Sequence, residues 1–449
     1  MKSLMLSKAF AILAVAITVP LLSQVEPSAD DGITKTDQET RMITPPMLNG
    51  ASLPLDEEVG QRSNYLSGGL TFNSAYISNV RPGVASSSID DTTYSIWPSL
   101  AIDQKTPRMT QKLSYNSGFT FYRKTNALDS INQSMEARFD YGFSNRLAVS
   151  FQERFRQNSN VFNQPLAPSG GETFQAEVAQ TSGIVVPFEE ELKNNLSAII
   201  SYRIAKFSMV GVKGGFESLS FPSVSEGSGL YASRAVSVLE FYSRRVSRLQ
   251  YIGASYQSAS IVTSQQQTTT RMQTLSFFYT LYSDRNFTVS VAAGPQHMNF
   301  TAGNAPSYQR WVPSVRAGLG WQTARLRFTS DYSTETTAGQ GLLDAYISNS
   351  EDATLRYQLK RNWVLNSVAV YANSENSVPS LSSLQVSPGG HTLSVTASIG
   401  YNIGQNLVAE FGYTRLRQDF SGVAAISSAP DSDRVFISLS SYFHRPLGR

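Results

Sequence analysis

Apolar and polar residues alternate one by one through most of this chain. The clearest case is 391–401. Leu393, Val395, Ala397, Ile399 and Tyr401 share one parity there, and Thr392, Ser394, Thr396, Ser398 and Gly400 the other. A polar turn from Asn402 to Asn406 follows, and then Leu407, Ala409, Phe411 and Tyr413 alternate with Glu410, Gly412 and Thr414. Successive side chains of a strand point to opposite faces, so each segment reads as a strand with one apolar and one wet face. The unit recurs. The alternation predicts strands at 65–78, 94–103, 112–124, 134–143, 146–156, 195–203, 207–218, 234–244, 249–258, 271–282, 287–297, 311–321, 325–333, 353–360, 363–371, 391–401, from 407 onward, and at 434–443. In 363–371 both parities carry apolar residues, and the alternation chooses no face.

The connections alternate in length. Short turns are expected at Ser144-Asn145, Ala205-Lys206, Val246-Ser247, Asp284-Arg285, Thr323-Ala324, Arg361-Asn362 and Gly404-Gln405. Longer loops are expected at 81–91, 158–190, 221–230, 262–270, 301–307, 337–343, 376–390 and 421–432. Strands of about 9–12 residues suffice to cross a bilayer at a tilt. Short turns on one side and long loops on the other, with an even strand count, are the plan of outer-membrane barrels. The predicted fold is therefore all-β: a transmembrane antiparallel up-and-down β-barrel of about 18 strands (16–18). Lipid offers no hydrogen bonds, so such strands must close on themselves. Aromatics near the strand ends fit interfacial girdles: Phe143, Trp321, Trp363, Tyr401 and Phe443 at the short-turn end, and Phe121, Tyr256, Tyr332 and Tyr413 at the other. A soluble exported sandwich, solenoid or propeller would need polar outer faces. The chain also lacks a fixed internal repeat of about 20–50 residues.

The N-terminal residues 1–29 read as a secretory signal. Lys2 and Lys8 precede or flank an apolar run at 9–22 that is short for a membrane helix, and cleavage is placed loosely between Ser23 and Ala29. Residues 30–63, with Pro45, Pro46 and Pro54, show no periodicity. They form a periplasmic lead-in or a short plug, ahead of a barrel over 64–449.

Composition narrows the chemistry. Charged residues are 16% of the chain, below the usual quarter. There is no Cys, which excludes disulfides and thiolate metal sites, and the net charge of +3 gives no basis for nucleic-acid binding. The three histidines, His297, His391 and His444, fall in different strands, so no Ser–His or Asp–His arrangement is legible. No Walker-type loop, metal spacing or calcium loop occurs. The expectation is no enzyme, no catalytic residue, no metal and no cofactor.

The end of the chain, Val435-Phe-Ile-Ser-Leu-Ser-Ser-Tyr-Phe443, resembles the last strand of bacterial outer-membrane β-barrels, whose final aromatic is read by the barrel-insertion machinery. Here His444-Arg-Pro-Leu-Gly-Arg449 continues past that aromatic. The plan over 65–449, with stretches such as Ser387-Pro-Gly-Gly-His-Thr392 and Phe411-Gly-Tyr-Thr-Arg-Leu416, is similar to porin-like barrels associated with exopolysaccharide export. The resemblance implies a cell outer-membrane location. The partners it implies are outer-membrane lipid and lipopolysaccharide, the insertion machinery, and components of polysaccharide export.

If the apolar parity faces lipid, the other parity lines a lumen. It carries Lys112, Arg138, Arg154, Arg156, Arg203, Lys213, Arg234, Arg244, Arg316, Arg327, Arg356 and Arg434 against Asp103, Glu136, Asp140, Glu217, Glu240, Asp331 and Glu410. Rings of Arg and Lys favour anions in a pore. The same charges can also pair across neighbouring strands, as Arg138 with Glu136 or Asp140. The longest loop, 158–190, is the third outside loop. It is either a solvated loop or a constriction that sets Glu172, Glu189, Glu190 and Glu191 against the basic wall. The expected function is a passive conduit for small or anionic solutes or for polysaccharide. The alternative is a non-conducting surface, structural or adhesive barrel.

Overall fold

The computed structural model describes residues 64–80, 88–158, 190–222, 230–264, 268–283, 286–302, 307–338, 345–376, 389–421 and 431–447. The expected signal, the lead-in and the loop residues Glu172 and Glu189 lie outside them. The described chain forms eighteen strands: β1 (Tyr65–Ile77), β2 (Asp91–Lys105), β3 (Met109–Tyr122), β4 (Ser130–Gly142), β5 (Leu147–Asn158), β6 (Glu191–Ala205), β7 (Ser208–Ser220), β8 (Ser233–Arg245), β9 (Gln250–Thr263), β10 (Thr268–Ser283), β11 (Phe287–Ala302), β12 (Tyr308–Gln322), β13 (Leu326–Ala338), β14 (Ala345–Lys360), β15 (Trp363–Asn376), β16 (Gly389–Ile403), β17 (Leu407–Ser421) and β18 (Asp431–Pro446). Each corresponds to one stretch of alternation in the sequence.

Every strand pairs antiparallel with its sequence neighbours, and β1 pairs with β18 from Tyr65↔Pro446 to Ile77↔Arg434, which closes the sheet into a barrel. Closure removes the edges that lipid could not satisfy. The parity read from sequence as apolar faces outward. Phe72, Phe121, Phe143, Phe411 and Ile437 are exposed, whereas Thr71, Thr120, Thr396, Glu410 and Ser438 are buried on the inner side. All nine residues expected in the aromatic girdles are exposed on the outer face, but Tyr256 and Tyr332, in register with Glu240 and Ala317, lie in the middle of their strands and not at the outer end. Trp363 and Tyr401 pack on that face in register with their rings tilted, centroids 4.7 Å apart. In β15 the pairing selects Trp363, Leu365 and Tyr371 as outward, in register with Tyr401, Ile399 and Leu393. Val370 and Ala372 are buried on the inner parity.

Most strands are longer than the alternation suggested, and all run to 12 to 16 residues. A tilted strand needs only about 9–11 to cross the bilayer, so the extra residues carry the wall beyond it. This shortens several expected loops. Between β9 and β10, where a loop was expected at 262–270, only 264–267 remain. A further short turn at 106–108 joins β2 to β3. In the turn after β16, Gly404 takes φ +74°, a region glycine enters without a Cβ clash.

One strand faces the other way from its expected reading. Arg234, Glu240 and Arg244 of β8 were expected inside; they lie on the outer face, with Val236, Val238 and Tyr242. The inner parity of β8 holds Leu239 and Phe241. Register puts Phe241 opposite Gly211 of β7, and the ring lies over that bare backbone, where a Cβ would come within 2.5 Å of it. Phe278 of β10 covers Gly253 of β9 in the same way. With Met209 and Tyr251 these rings make an apolar cluster inside the barrel. Both parities of β8 mix apolar and polar residues, so charge is a poor guide to its face.

The longest break in the strand pairing lies between β12 and β13. β12 and β13 are paired only from Gln322↔Arg327 to Val315↔Thr334, although β12 continues to Tyr308 and β13 to Ala338. β13 stays paired with β14 throughout, to Ala338↔Ala345. Beyond Thr334 the outward side of this hairpin lies against the inner wall, while β14 keeps its pairing with β15 to Tyr346↔Asn376. Thr336 of β13, on the outward parity, donates its hydroxyl to Gln296 Oε1 of the inner wall at 2.7 Å.

Candidate pore lining

The inner wall of the described barrel is built by one parity of each strand, so its chemistry can be read strand by strand. Of the residues expected to line a lumen, Glu136, Arg138 and Asp140 (β4), Arg154 and Arg156 (β5), Lys213 (β7), Arg316 (β12), Arg327 and Asp331 (β13), Arg356 (β14) and Glu410 (β17) lie on that parity. Arg234 and Glu240 do not. Glu191 heads β6 on the inner parity, buried and in register with Asn158. Its neighbour Glu190 accepts a hydrogen bond from the Gln157 side-chain amide.

Many of these charges are paired along or across adjacent strands. Arg138 Nε donates to Asp140 Oδ2 at 2.8 Å, and the Ser150 hydroxyl donates to the same carboxylate. Glu136 Oε1 accepts from Gln152 Nε2 at 2.8 Å and from Arg154 Nε at 3.3 Å. Lys193 and Glu217 meet at 3.2 Å, and Lys112 and Asp103 at 3.8 Å. Arg316 pairs with Glu335. Glu410 accepts from Ser398 Oγ at 2.6 Å, and the Arg434 guanidinium lies 5.0 Å from the Phe436 ring centre. Much of the inner charge is thus spent in neutralising local ladders.

The inner bases come from strands well apart round the barrel. Arg154 of β5, Lys213 of β7 and Arg316 of β12 all lie on the inner parity. Beside Arg154, a cavity of about 220 Å³ is lined by Gln152, Asn195, Ser197, Glu217 and Ser237. On β13 and β14, like charges face each other in register: Arg327 opposite Arg356, and Asp331 opposite Asp352. Such pairs repel, and the two sets hold a basic and an acidic level on the same pair of strands.

Lys193, Arg310, Glu335 and Asp352 also lie on the inner parity and were missed from sequence. The cause is common to all four. Each sits just beyond the predicted end of its strand, in the outer extension. The signal was present, since the alternation at Glu191, Lys193 and Asn195 against Leu192, Asn194 and Leu196 simply continues.

The histidines stay apart. His297 packs on Trp311 on the outer face, centroids 4.8 Å apart, and His391 is in register with Asp419 on that face. His444 Nδ1 lies 2.9 Å from Ser67 Oγ at the short-turn rim. No group of three metal-ligating side chains occurs among the described residues.

A closed antiparallel barrel of eighteen strands, apolar and aromatic outside and hydroxyl- and charge-lined inside, is a membrane-spanning β-barrel of the outer-membrane type. No family model and no curated relative matches the chain. Solved structures similar to it include Pseudomonas aeruginosa OccK2 (OpdF), at 10% identity over 85% of this chain and 98% of that one, TM-score 0.43. Acinetobacter baumannii OccAB4 is similar at 8% identity over 85% and 99%, TM-score 0.41. The ferric citrate transporter FecA is similar at 8% identity over 84% and 78%, TM-score 0.40. The likeness is one of architecture alone.

Proposed function

We propose that this chain is an outer-membrane, porin-like channel: a passive conduit whose inner wall favours small anionic solutes. The observation that carries the reading is the placement of Arg154, Lys213 and Arg316 on the inner parity of the closed barrel. Barrels of about 16–18 strands are wide enough for an aqueous channel, and basic groups lining such a channel draw anions. An acidic polysaccharide presents the same carboxylate chemistry in polymeric form, and the resemblance to barrels of exopolysaccharide export makes it the cargo we favour within that class. Phe443 is, on this reading, the aromatic that the insertion machinery reads.

The test is single-channel conductance of the refolded protein in a planar bilayer, with reversal potentials under a salt gradient. Circular dichroism and heat-modifiable gel mobility establish that the sample is a folded barrel. Steady conductance with anion preference is expected. A folded barrel that never conducts would transfer the reading to a structural or adhesive surface barrel. Cation preference would remove the role given to the three bases.

A further inference from the structure

The far end of the β13–β14 hairpin lands on an unusual part of the wall. Ala345 and Ile347 belong to the outward parity of β14, in register with Ala338 and Thr336. Both are buried, not against lipid, but in a cluster with Ile261, Met272, Met298 and Val312. Those four belong to the inner parity of β9, β10, β11 and β12. This apolar patch is separate from the Met209, Phe241, Tyr251 and Phe278 cluster, whose Phe241 and Phe278 rings cover glycine backbone, and it is covered instead by Ala345 and Ile347. It is held under the hairpin by a buried polar chain: Thr336 donates to Gln296, whose Nε2 donates to Thr274 Oγ1 at 3.0 Å.

The patch adjoins the place where the wall is unzipped. From Ser314 upward to Tyr308, β12 has no strand partner on its β13 side among the described residues. The membrane level follows from the tryptophans. Trp321 and Trp311 are both exposed on the outer face of β12. Ten residues along a strand tilted by about 40° rise roughly 25 Å, the height of the apolar band. Trp311 then marks the outer edge of the bilayer, and Val312, Pro313 and Ser314 lie just inside it. The seam opens at the depth of the outer leaflet's acyl chains.

We propose that the patch of Ile261, Met272, Met298 and Val312 is a binding site for a single alkyl chain. In this structure Ile347 occupies it, and the seam between β12 and β13 connects it to the outer leaflet. Three features carry the assignment. Apolar side chains on a polar inner wall have no lipid to face and require an apolar occupant. The two methionines are unbranched and adapt to chains of differing shape. The occupant now present is an aliphatic side chain beside the unpaired β12–β13 seam, on a strand that stays paired to β15 on its other side. The route is distinct from the aqueous one: it begins in the barrel and ends in the membrane.

The experiment uses the full-length barrel in phospholipid vesicles and a palmitate analogue bearing an alkyl diazirine. After photolysis, adducts are mapped by peptide mass spectrometry. The wild type is expected to carry adducts on inward Met272 and Met298 in addition to outward Phe277 and Val291. Ile347→Ala removes the occupant and should raise the inward adducts several-fold, roughly as expected for about 1 kcal/mol. The chain has no cysteine, so the pair Val312→Cys and Ile347→Cys can be oxidised to lock the hairpin. Inward adducts should then fall about tenfold, outward ones should not change, and reduction should restore both. Inward labelling absent from wild type and from Ile347→Ala overturns the proposal, as does labelling unaffected by the lock. If the disulfide does not form, the Ile347→Ala comparison decides alone. Conductance recorded from the same preparation tests the aqueous channel separately, so either reading can fail without the other.

Discussion

Gly68 and Phe443 face each other across the closing seam of the barrel, and a Cβ on Gly68 would stand 2.2 Å from the phenyl ring. The aromatic that ends the last full strand is therefore seated on the bare backbone of the first. Covering a strand glycine with a cross-strand aromatic protects the backbone and fixes register. Gly68→Val is expected to displace the ring and destabilise the barrel by about 1–3 kcal/mol. Urea titration in vesicles would show it as a lower midpoint, with a larger unfolded fraction on unheated gels. An unchanged midpoint would mean that the ring turns aside at little cost.

The outward charges of β8 make a second prediction. Glu240 has no hydrogen bond or ion pair among the described residues and faces outward between Val212 and Tyr256. Five or six residues separate it from the short turn, roughly 15 Å along the membrane normal, so it lies near the bilayer midplane. Charged side chains there cost on the order of 2 kcal/mol, acids less than bases, and little near the interfaces. Glu240→Leu should therefore stabilise the barrel by about 1 kcal/mol, and Arg244→Leu, next to the turn, by much less. Equal effects would place β8 at a different depth.

A third prediction concerns the field of the lumen. Replacing Lys213 by Gln, with the Arg154–Glu136 and Arg316–Glu335 pairs intact, should lower anion-over-cation permeability by about two- to five-fold. That range corresponds to the roughly 1 kcal/mol of a unit charge a few ångströms away in water. Reversal potentials measure it directly, and the shift should shrink at high salt. Arg234→Gln, on the outer face, should leave the ratio unchanged.

The outer rim supplies a fourth. The Asp91 carboxylate, fully buried, accepts the backbone N–H groups of Thr92, Lys124 and Thr125 at 2.7 to 3.1 Å and the Thr125 hydroxyl at 2.6 Å. It holds the loop that joins β3 to β4. Asp91→Ala should loosen that loop by about 2 kcal/mol, read as roughly thirty-fold faster hydrogen exchange at Lys124 and Thr125.

Alongside it, Lys124 Nζ sits 2.6 Å from Asp90 Oδ2. Lys124 holds the Asp90 carboxyl below its ordinary range, and Asp90 raises the lysine. The contribution of this exposed pair is present above the ordinary carboxylate pKa near 4 and is lost as pH falls through the lowered value. It is also lost as pH rises through the raised lysine value, beyond about 10. Loop exchange, corrected for its intrinsic pH dependence, should be flat between those limits. A step near neutral pH would contradict the pairing.

The eighteen strands and most of their faces were legible because one face of each meets lipid, and a period of two is hard to disguise over ten residues. Legibility failed where that pressure is absent. In β8 the inner Phe241 answers to Gly211 opposite it, a relation between strands that local alternation does not contain. Above the bilayer both faces are wet, so the outer ends of β6, β12, β13 and β14 looked like loop, and with them went Lys193, Arg310, Glu335 and Asp352. The seating of β13–β14 against the inner wall depends on what Ile347 meets after folding. Its alternation reads as an ordinary wall strand.

The strand order carries a consequence for how such a protein can change. Every pairing but one joins neighbours in sequence, and the exception, β1 with β18, joins residues as distant as Thr71 and Ser440. Bringing chain ends together costs an amount that grows only with the logarithm of the intervening length. Gaining or losing one hairpin therefore hardly alters the cost of closure, keeps both ends on the same side and preserves the alternation of turns and loops. What it does alter is girth, which rises nearly linearly with strand number. A lineage built on this plan can resize its aperture by duplicating or deleting some thirty residues at a time, while the surface it offers to lipid stays the same.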